Sequence, residues 1–166
     1  IGNVCIALQA TECANAFGYP SIEALLTTHP RMVAWTVLLE TGRMSEAEYT
    51  RRLAKESGLA EEQVIAAMEL VLGPQLPGLL GFLDAAIAAG LKPVFMSDVS
   101  TMHYRVLGQR LTFMHLIEGA VLSYEVGCQK PAAGMYEAME RDYCDGNPPA
   151  LFLDDKLENI QAAQQR

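Results

Sequence analysis

The 166-residue sequence has no run of basic residues, no CxxC pair, no low-complexity segment and no internal repeat. It also lacks any window of the roughly 18 unbroken apolar residues that a membrane-spanning helix requires. Each absence excludes something. With 12 Lys and Arg against 20 Asp and Glu, the formal net charge is -8, so nucleic acid and an anionic membrane surface are poor partners, and small ligands or proteins are better ones. Cys5, Cys13, Cys128 and Cys144 have no His at metal-ligand spacing. A chain that is 51% hydrophobic can build its core without a disulfide framework. Reduced thiols in a cytoplasmic protein are therefore expected. No basic segment followed by an apolar one opens the chain, as a secretory signal would. There is no initiator Met either, and the strand-like run Val4-Cys5-Ile6-Ala7-Leu8 begins almost at once, so the sequence is expected to start inside the native protein.

The most informative stretch lies near the other end. Leu151-Phe152-Leu153 is a short apolar run that stops on Asp154-Asp155, and the helically spaced Leu157 and Ile160 follow. This reads as a buried strand delivering two carboxylates to a strand-to-helix loop, the place where open α/β sheets hold ligands. Adjacent carboxylates repel when both are ionised, so the pair holds a hard cation, shares a proton or splays into solvent.

Between Ser21 and Gly90 the pattern is helical. Ser21 precedes Ile22, Leu25 and Leu26, and His29-Pro30 punctuates. Met32, Val33, Val37 and Leu38 form a second stripe ending at Gly42. Ser45 with Glu48 predicts a reciprocal capping box, and Tyr49, Leu53 and Leu59 continue from it. Val64, Met68 and Val71 mark a further helix before Gly73-Pro74; Leu79, Leu83 and Ile87 mark another before Gly90. No strand is expected within this stretch. After Gly90, strands and helices alternate: Pro93–Met96 and Ala120–Leu122 read as strands. Met102, Val106 and Leu107 predict one helix, and Met135, Met139 and Tyr143 another.

In a parallel sheet with right-handed crossovers, strand ends share one edge. Ser97, Lys130, Asp154 and Asp155 all fall at such ends. A hydroxyl and an ammonium suit phosphoryl oxygens, while paired carboxylates suit a divalent cation that neutralises them. Alone, Ser97 reads equally as a helix cap and Lys130 as a solvated loop lysine. His29 and His115 read as structural, and the eight Met residues as core. Trp35 and Arg43 are candidates for substrate contact that also fit a core and a surface loop.

The strand leading into Ser97-Asp98, then Gly127-Cys128-Gln129-Lys130-Pro131, then Phe152-Leu153-Asp154-Asp155-Lys156-Leu157-Glu158-Asn159-Ile160 resemble motifs two to four of the haloacid dehalogenase (HAD) superfamily. Ile1-Gly2-Asn3-Val4 resembles the tail of its first motif, in the branch written Asp-x-Gly-Asn-Val. Glu40-Thr41-Gly42-Arg43-Met44-Ser45 resembles a segment of its C1 cap. Ser97-Asp98-Val99-Ser100 through His103 resembles a segment of the glucose-1-phosphatase-like members. The resemblance implies an α/β fold: a Rossmann-like parallel sheet core, residues 1–12 and 92–166, with an all-helical cap, residues 13–91, inserted after the first strand. It also implies Mg²⁺-dependent hydrolysis of a small phosphorylated metabolite such as a sugar phosphate, through an aspartyl-phosphate whose Asp would precede Ile1.

By position, Ser97 and Lys130 would be catalytic. Ser97, Asp98, His103 and Lys130 would meet substrate, and Asp155, Asp154 and the carbonyl of Gly2 would serve the metal. A monomer or homodimer is implied. Gly2 stands where many relatives carry a general-acid Asp, and Asp98 and Ser100 stand where the branch has Asn. The chain stops in the helix after motif four, where relatives return with another strand, so both ends are expected to be cut. A non-catalytic HAD-like binding module and a dehalogenase-type hydrolase are the alternative readings.

Overall fold

In the computed structural model, which describes residues 1–166, two short strands bracket a long helical stretch. Strand β1 (Ile6–Leu8) leads into helices α1 (Ala10–Ala16), α2 (Ile22–Thr28), α3 (Arg31–Glu40), α4 (Glu46–Ser57) and α5 (Glu61–Glu69), and strand β2 (Leu72–Gln75) follows. β2 returns antiparallel to β1, with Ile6 opposite Gln75 and Leu8 opposite Leu72. Residues 10–69 are thus inserted between two paired strands. β2 is a strand that the sequence conceals, because Gly73 and Pro74 are poor strand formers. Proline is tolerated on an edge strand, where its missing N–H interrupts no ladder.

The inserted helices have a core of their own. Cys13, Leu25, Met32, Tyr49, Leu53 and Val64 converge there with almost no exposure. Ser21 and Ser45 cap α2 and α4 by accepting the amides of Ala24 and Glu48. The expected capping box at Ser45 is only half formed: the Glu48 carboxylate instead pairs with Arg52 one turn on, an exposed i,i+4 pair that competes for the same side chain.

The second half alternates as expected. Helix α6 (Leu79–Ala88) precedes strand β3 (Val94–Ser97), and helix α7 (Thr101–Arg110) and a 3₁₀ turn (Met114–Leu116) lead to strand β4 (Gly119–Leu122). Helices α8 (Ser123–Val126), α9 (Ala133–Tyr143) and α10 (Leu157–Gln164) complete the chain. β3 and β4 pair in parallel, from Val94 opposite Gly119 to Ser97 opposite Leu122. One face of this sheet packs Phe95, Val106, Leu107 and Phe113 together, and the other packs Met96 and Val121 against Met135, Tyr136 and Met139 of α9. Leu83 of α6 and Leu72 of β2 belong to the first of these clusters, although the sequence groups α6 with the helical stretch. α7 joins the two halves, because Met102 faces the helical core while Val106 and Leu107 face the sheet. No helix is long and apolar enough to cross a membrane.

Two expected strands need correction. Val4 and Cys5 lie in a turn, and only Ile6–Leu8 is extended and paired. Leu151–Leu153 forms no ladder. It shares with Val94, Phe95 and Met96 the walls of an apolar groove of about 330 Å³, so β3 is not within reach as a hydrogen-bonding neighbour.

Candidate functional site

β3 ends at Ser97, and a parallel strand needs a loop there before the next helix begins. Ser100, not Ser97, caps α7 by accepting the His103 amide at 3.2 Å. The Ser97 hydroxyl is 3% exposed and makes only a long 3.5 Å contact to the Asp98 carbonyl. It is therefore free to bind a ligand.

Asp98 turns toward the loop before α9. Its Oδ1 accepts the Lys130 amide at 2.9 Å, and burial holds its pKa above the ordinary value despite that bond. The Lys130 ammonium donates to Asp154 Oδ2 at 2.6 Å and to the Met96 carbonyl at 3.1 Å. The Lys130 and Asp154 side chains are only 6% and 5% exposed, so this lysine is not a solvated loop residue.

Asp154 has a full set of donors. Besides Lys130 it receives the Lys156 amide at 2.9 Å and Asn159 Nδ2 at 2.8 Å. Burial pushes its pKa up, but these three bonds and the lysine charge outweigh burial and leave it lowered. Asp155 is the exposed member of the pair, and its Oδ2 accepts Asn3 Nδ2 at 3.0 Å. That bond draws the first turn of the chain, and with it Gly2, to the carboxylates. Asn3 adopts the left-handed conformation at φ 53°, which asparagine tolerates better than most residues.

Ser97, Asp98, Lys130, Asp154, Asp155 and Gly2 thus lie around one edge of β3. His103 does not join them. Its Nε2–H donates to the Met68 carbonyl at 3.0 Å, and the ring is buried between α7 and the end of α5. As the third residue of α7 it lies on the face that meets the helical core, so it ties the two halves together and does not face substrate.

This buried imidazole has a consequence for stability. Burial lowers its pKa below the ordinary 6.5, so at mildly acid pH the unfolded chain binds a proton that the native state resists. Stability should accordingly fall as pH drops through about 6.5, with a slope no steeper than ~1.4 kcal/mol per pH unit from this one group. Urea unfolding at pH 7.5 and 5.5 measures it, and a His103→Gln protein should lose less on acidification than the parent.

Three participants had no role assigned from sequence. Asn3 and Asn159 orient the two aspartates, and Gln129 Nε2 donates to Glu40 Oε2 at 2.6 Å. The signal for Asn159 is its place one turn into the helix after the acidic pair. Glu40 carries no comparable signal, since only the fold brings the end of α3 to this edge. Arg43 donates to the Gly127 carbonyl at 3.2 Å, and Trp35 packs on the helical core beneath the Arg52 guanidinium.

The chain matches no protein-family model and no curated protein. Among solved structures it is similar to a HAD family enzyme of Bacteroides thetaiotaomicron, at 22% identity and a TM-score of 0.86 over 99% of this chain and 86% of that one. The wild-type form of that enzyme, in complex with magnesium and inorganic phosphate, superposes with a TM-score of 0.83 at 20% identity over the same shares. An L-2-haloacid dehalogenase of Xanthobacter autotrophicus with chloropropionic acid covalently bound is similar at 16% identity, 99% of this chain, 71% of that one and a TM-score of 0.68. This chain has the α/β fold of the HAD enzymes.

Proposed function

We propose that the protein is a magnesium-dependent phosphatase acting on a small phosphorylated metabolite, such as a sugar phosphate. The observation that carries this reading is the buried Lys130–Asp154 pair at one strand edge, flanked by an unengaged hydroxyl on Ser97 and an exposed carboxylate on Asp155. Ser97 and the Lys130 ammonium are the donors available to phosphoryl oxygens. The similar enzyme with magnesium and phosphate bound supports the same chemistry.

The available donors are hard oxygens, and no three His, Cys, Asp or Glu side chains gather to cage an ion. That suits magnesium, which keeps several waters and takes one or two carboxylates. Asp155 and the Gly2 carbonyl would hold it, with Asp154 behind them, and when bound it would supply charge neutralisation at the phosphoryl oxygens. The nucleophile in this reading is an Asp directly ahead of Ile1 in the full-length protein. The Ile1 nitrogen lies in the field of Lys130, Asp154 and Asp155, so a residue bonded to it would sit among them. Residues 13–91 would act as a cap that shapes the cavity and excludes water.

Phosphate release by the full-length protein tests the reading. Turnover of phosphate monoesters should require Mg²⁺ and be abolished by Asp155→Asn. Activity insensitive to both would refute it. Metal-independent release of halide from a 2-haloacid would favour the dehalogenase reading instead.

A further inference from the structure

The site holds one carboxyl group that this scheme leaves without a task. Glu40 is the last residue of α3, and two loops of the sheet half hold it in place. Its backbone carbonyl accepts the Ser123 hydroxyl at 2.5 Å, and that hydroxyl oxygen also accepts the Val99 amide at 3.0 Å, one residue beyond Asp98. Its side chain accepts Gln129 Nε2 through Oε2, one residue before Lys130. The carboxyl is therefore pinned between the loop that carries Ser97 and Asp98 and the loop that carries Lys130, and Oε1 has no protein partner.

Departure of an aliphatic alcohol from phosphorus requires a proton on the leaving oxygen. Asp154 is committed to three donors, the Lys130 ammonium to Asp154 and the Met96 carbonyl, and Asp155 to the metal in the proposed scheme. We propose that Glu40 is the acid that protonates the leaving group, a role that rests on the phosphatase reading above. In the first half-reaction the phosphorus gains a bond to the carboxylate ahead of Ile1 and loses its bond to the leaving oxygen. That oxygen keeps the electron pair and takes the Glu40 proton. In the second half water attacks phosphorus, the aspartate departs as a carboxylate, and the water proton returns to Glu40, leaving inorganic phosphate.

The surroundings agree with the assignment. Burial, and then the charge of Asp98, push the Glu40 pKa up to about 7, against the pull of Gln129 and of Lys156. A carboxyl in that range is protonated for a useful fraction of the time at neutral pH and is regenerated readily. Tyr49 of α4 lies near it on the helical side and adds no competing acid, because burial drives its own pKa well above the usual phenol value.

Two substrates separate the outcomes. p-Nitrophenyl phosphate releases a phenolate that needs no proton, whereas a sugar phosphate releases an alcohol that does. In the full-length protein with Mg²⁺, Glu40→Gln should lower kcat on the sugar phosphate by about 100-fold or more while leaving kcat on p-nitrophenyl phosphate within a few-fold, which also shows that the variant is folded. The fall of wild-type kcat at alkaline pH should disappear with the variant on the sugar phosphate. Equal losses on both substrates, no loss on either, or the same split produced by Asp98→Asn in place of Glu40→Gln would overturn the assignment. If the wild-type protein hydrolyses neither ester in a Mg²⁺-dependent way, the phosphatase reading itself has failed.

Discussion

Replacing Lys130 with methionine is expected to destabilise the protein by about 3–5 kcal/mol, the usual cost of stranding one member of a buried ion pair. For a chain of this size that corresponds to a fall in Tm on the order of 10 °C. The reason lies in Asp154. Its carboxylate is 5% exposed, and without the ammonium it keeps only the Lys156 amide and Asn159, with Asp98 and Asp155 nearby. Methionine retains much of the aliphatic stem beside Phe152, so lost packing contributes little.

The pH dependence identifies the cause. In the wild-type protein the Asp154 pKa is lowered, so its contribution to stability is present above the unfolded value near 3.9 and is lost as pH falls through the native value. In Lys130→Met, burial dominates and the group takes a proton more readily. The deficit relative to wild type should then be largest at pH 7 and shrink toward pH 4–5. The double variant Lys130→Met with Asp154→Asn removes both charges and should recover most of the loss at neutral pH. Urea unfolding of the three proteins across that range measures each term. A deficit that ignored pH would place the effect in packing.

The same pair shows how much of the site is legible in sequence. Lys130 before Pro131, and Asp154-Asp155 after an apolar run, are contiguous signals whose spacing implies strand ends, and strand ends in a parallel sheet converge for topological reasons. Periodicity likewise marks most of the helices, because each buries one face and writes that face into the chain. Features set by tertiary context are less visible. β2 is hidden under Gly73-Pro74, which only an edge position tolerates. Leu151–Leu153 has the composition of a strand, but strand identity requires a partner within hydrogen-bonding reach, and composition does not encode that. His103 sits three residues after the Ser100 cap, where a side chain can turn either to the sheet edge or to the neighbouring helices. The choice is made by the Met68 carbonyl, which is 35 residues away in the chain. Glu40 is a residue of the helical stretch whose chemistry belongs to the other half of the molecule, and nothing adjacent to it in sequence says so.

The seam between those halves leads to the other large effect, at Gly42. α3 ends in a Schellman turn, with the Arg43 amide bonded to the Leu38 carbonyl and the Gly42 amide to the Leu39 carbonyl, and Gly42 takes the left-handed conformation at φ 68°. Gly58 closes α4 in the same region at φ 75°. A Cβ at Gly58 would meet nothing within 4 Å, whereas a Cβ at Gly42 would overlap the backbone carbonyl of Tyr124 at the start of α8. Gly58→Ala therefore carries only the conformational penalty, partly offset by a less flexible unfolded chain, and should cost about 1 kcal/mol. Gly42→Ala carries the same penalty plus the cost of pushing two backbones apart, and should cost about 2–4 kcal/mol. Because that displacement opens the contacts of Glu40 with Ser123 and Gln129, amide exchange should rise in the Thr41–Met44 and Tyr124–Gln129 segments and stay unchanged in the core of α9. In Gly58→Ala no such paired increase is expected. Equal destabilisation by the two substitutions would mean that the seam yields without strain and that the close approach at Tyr124 does not hold the helical half against the sheet.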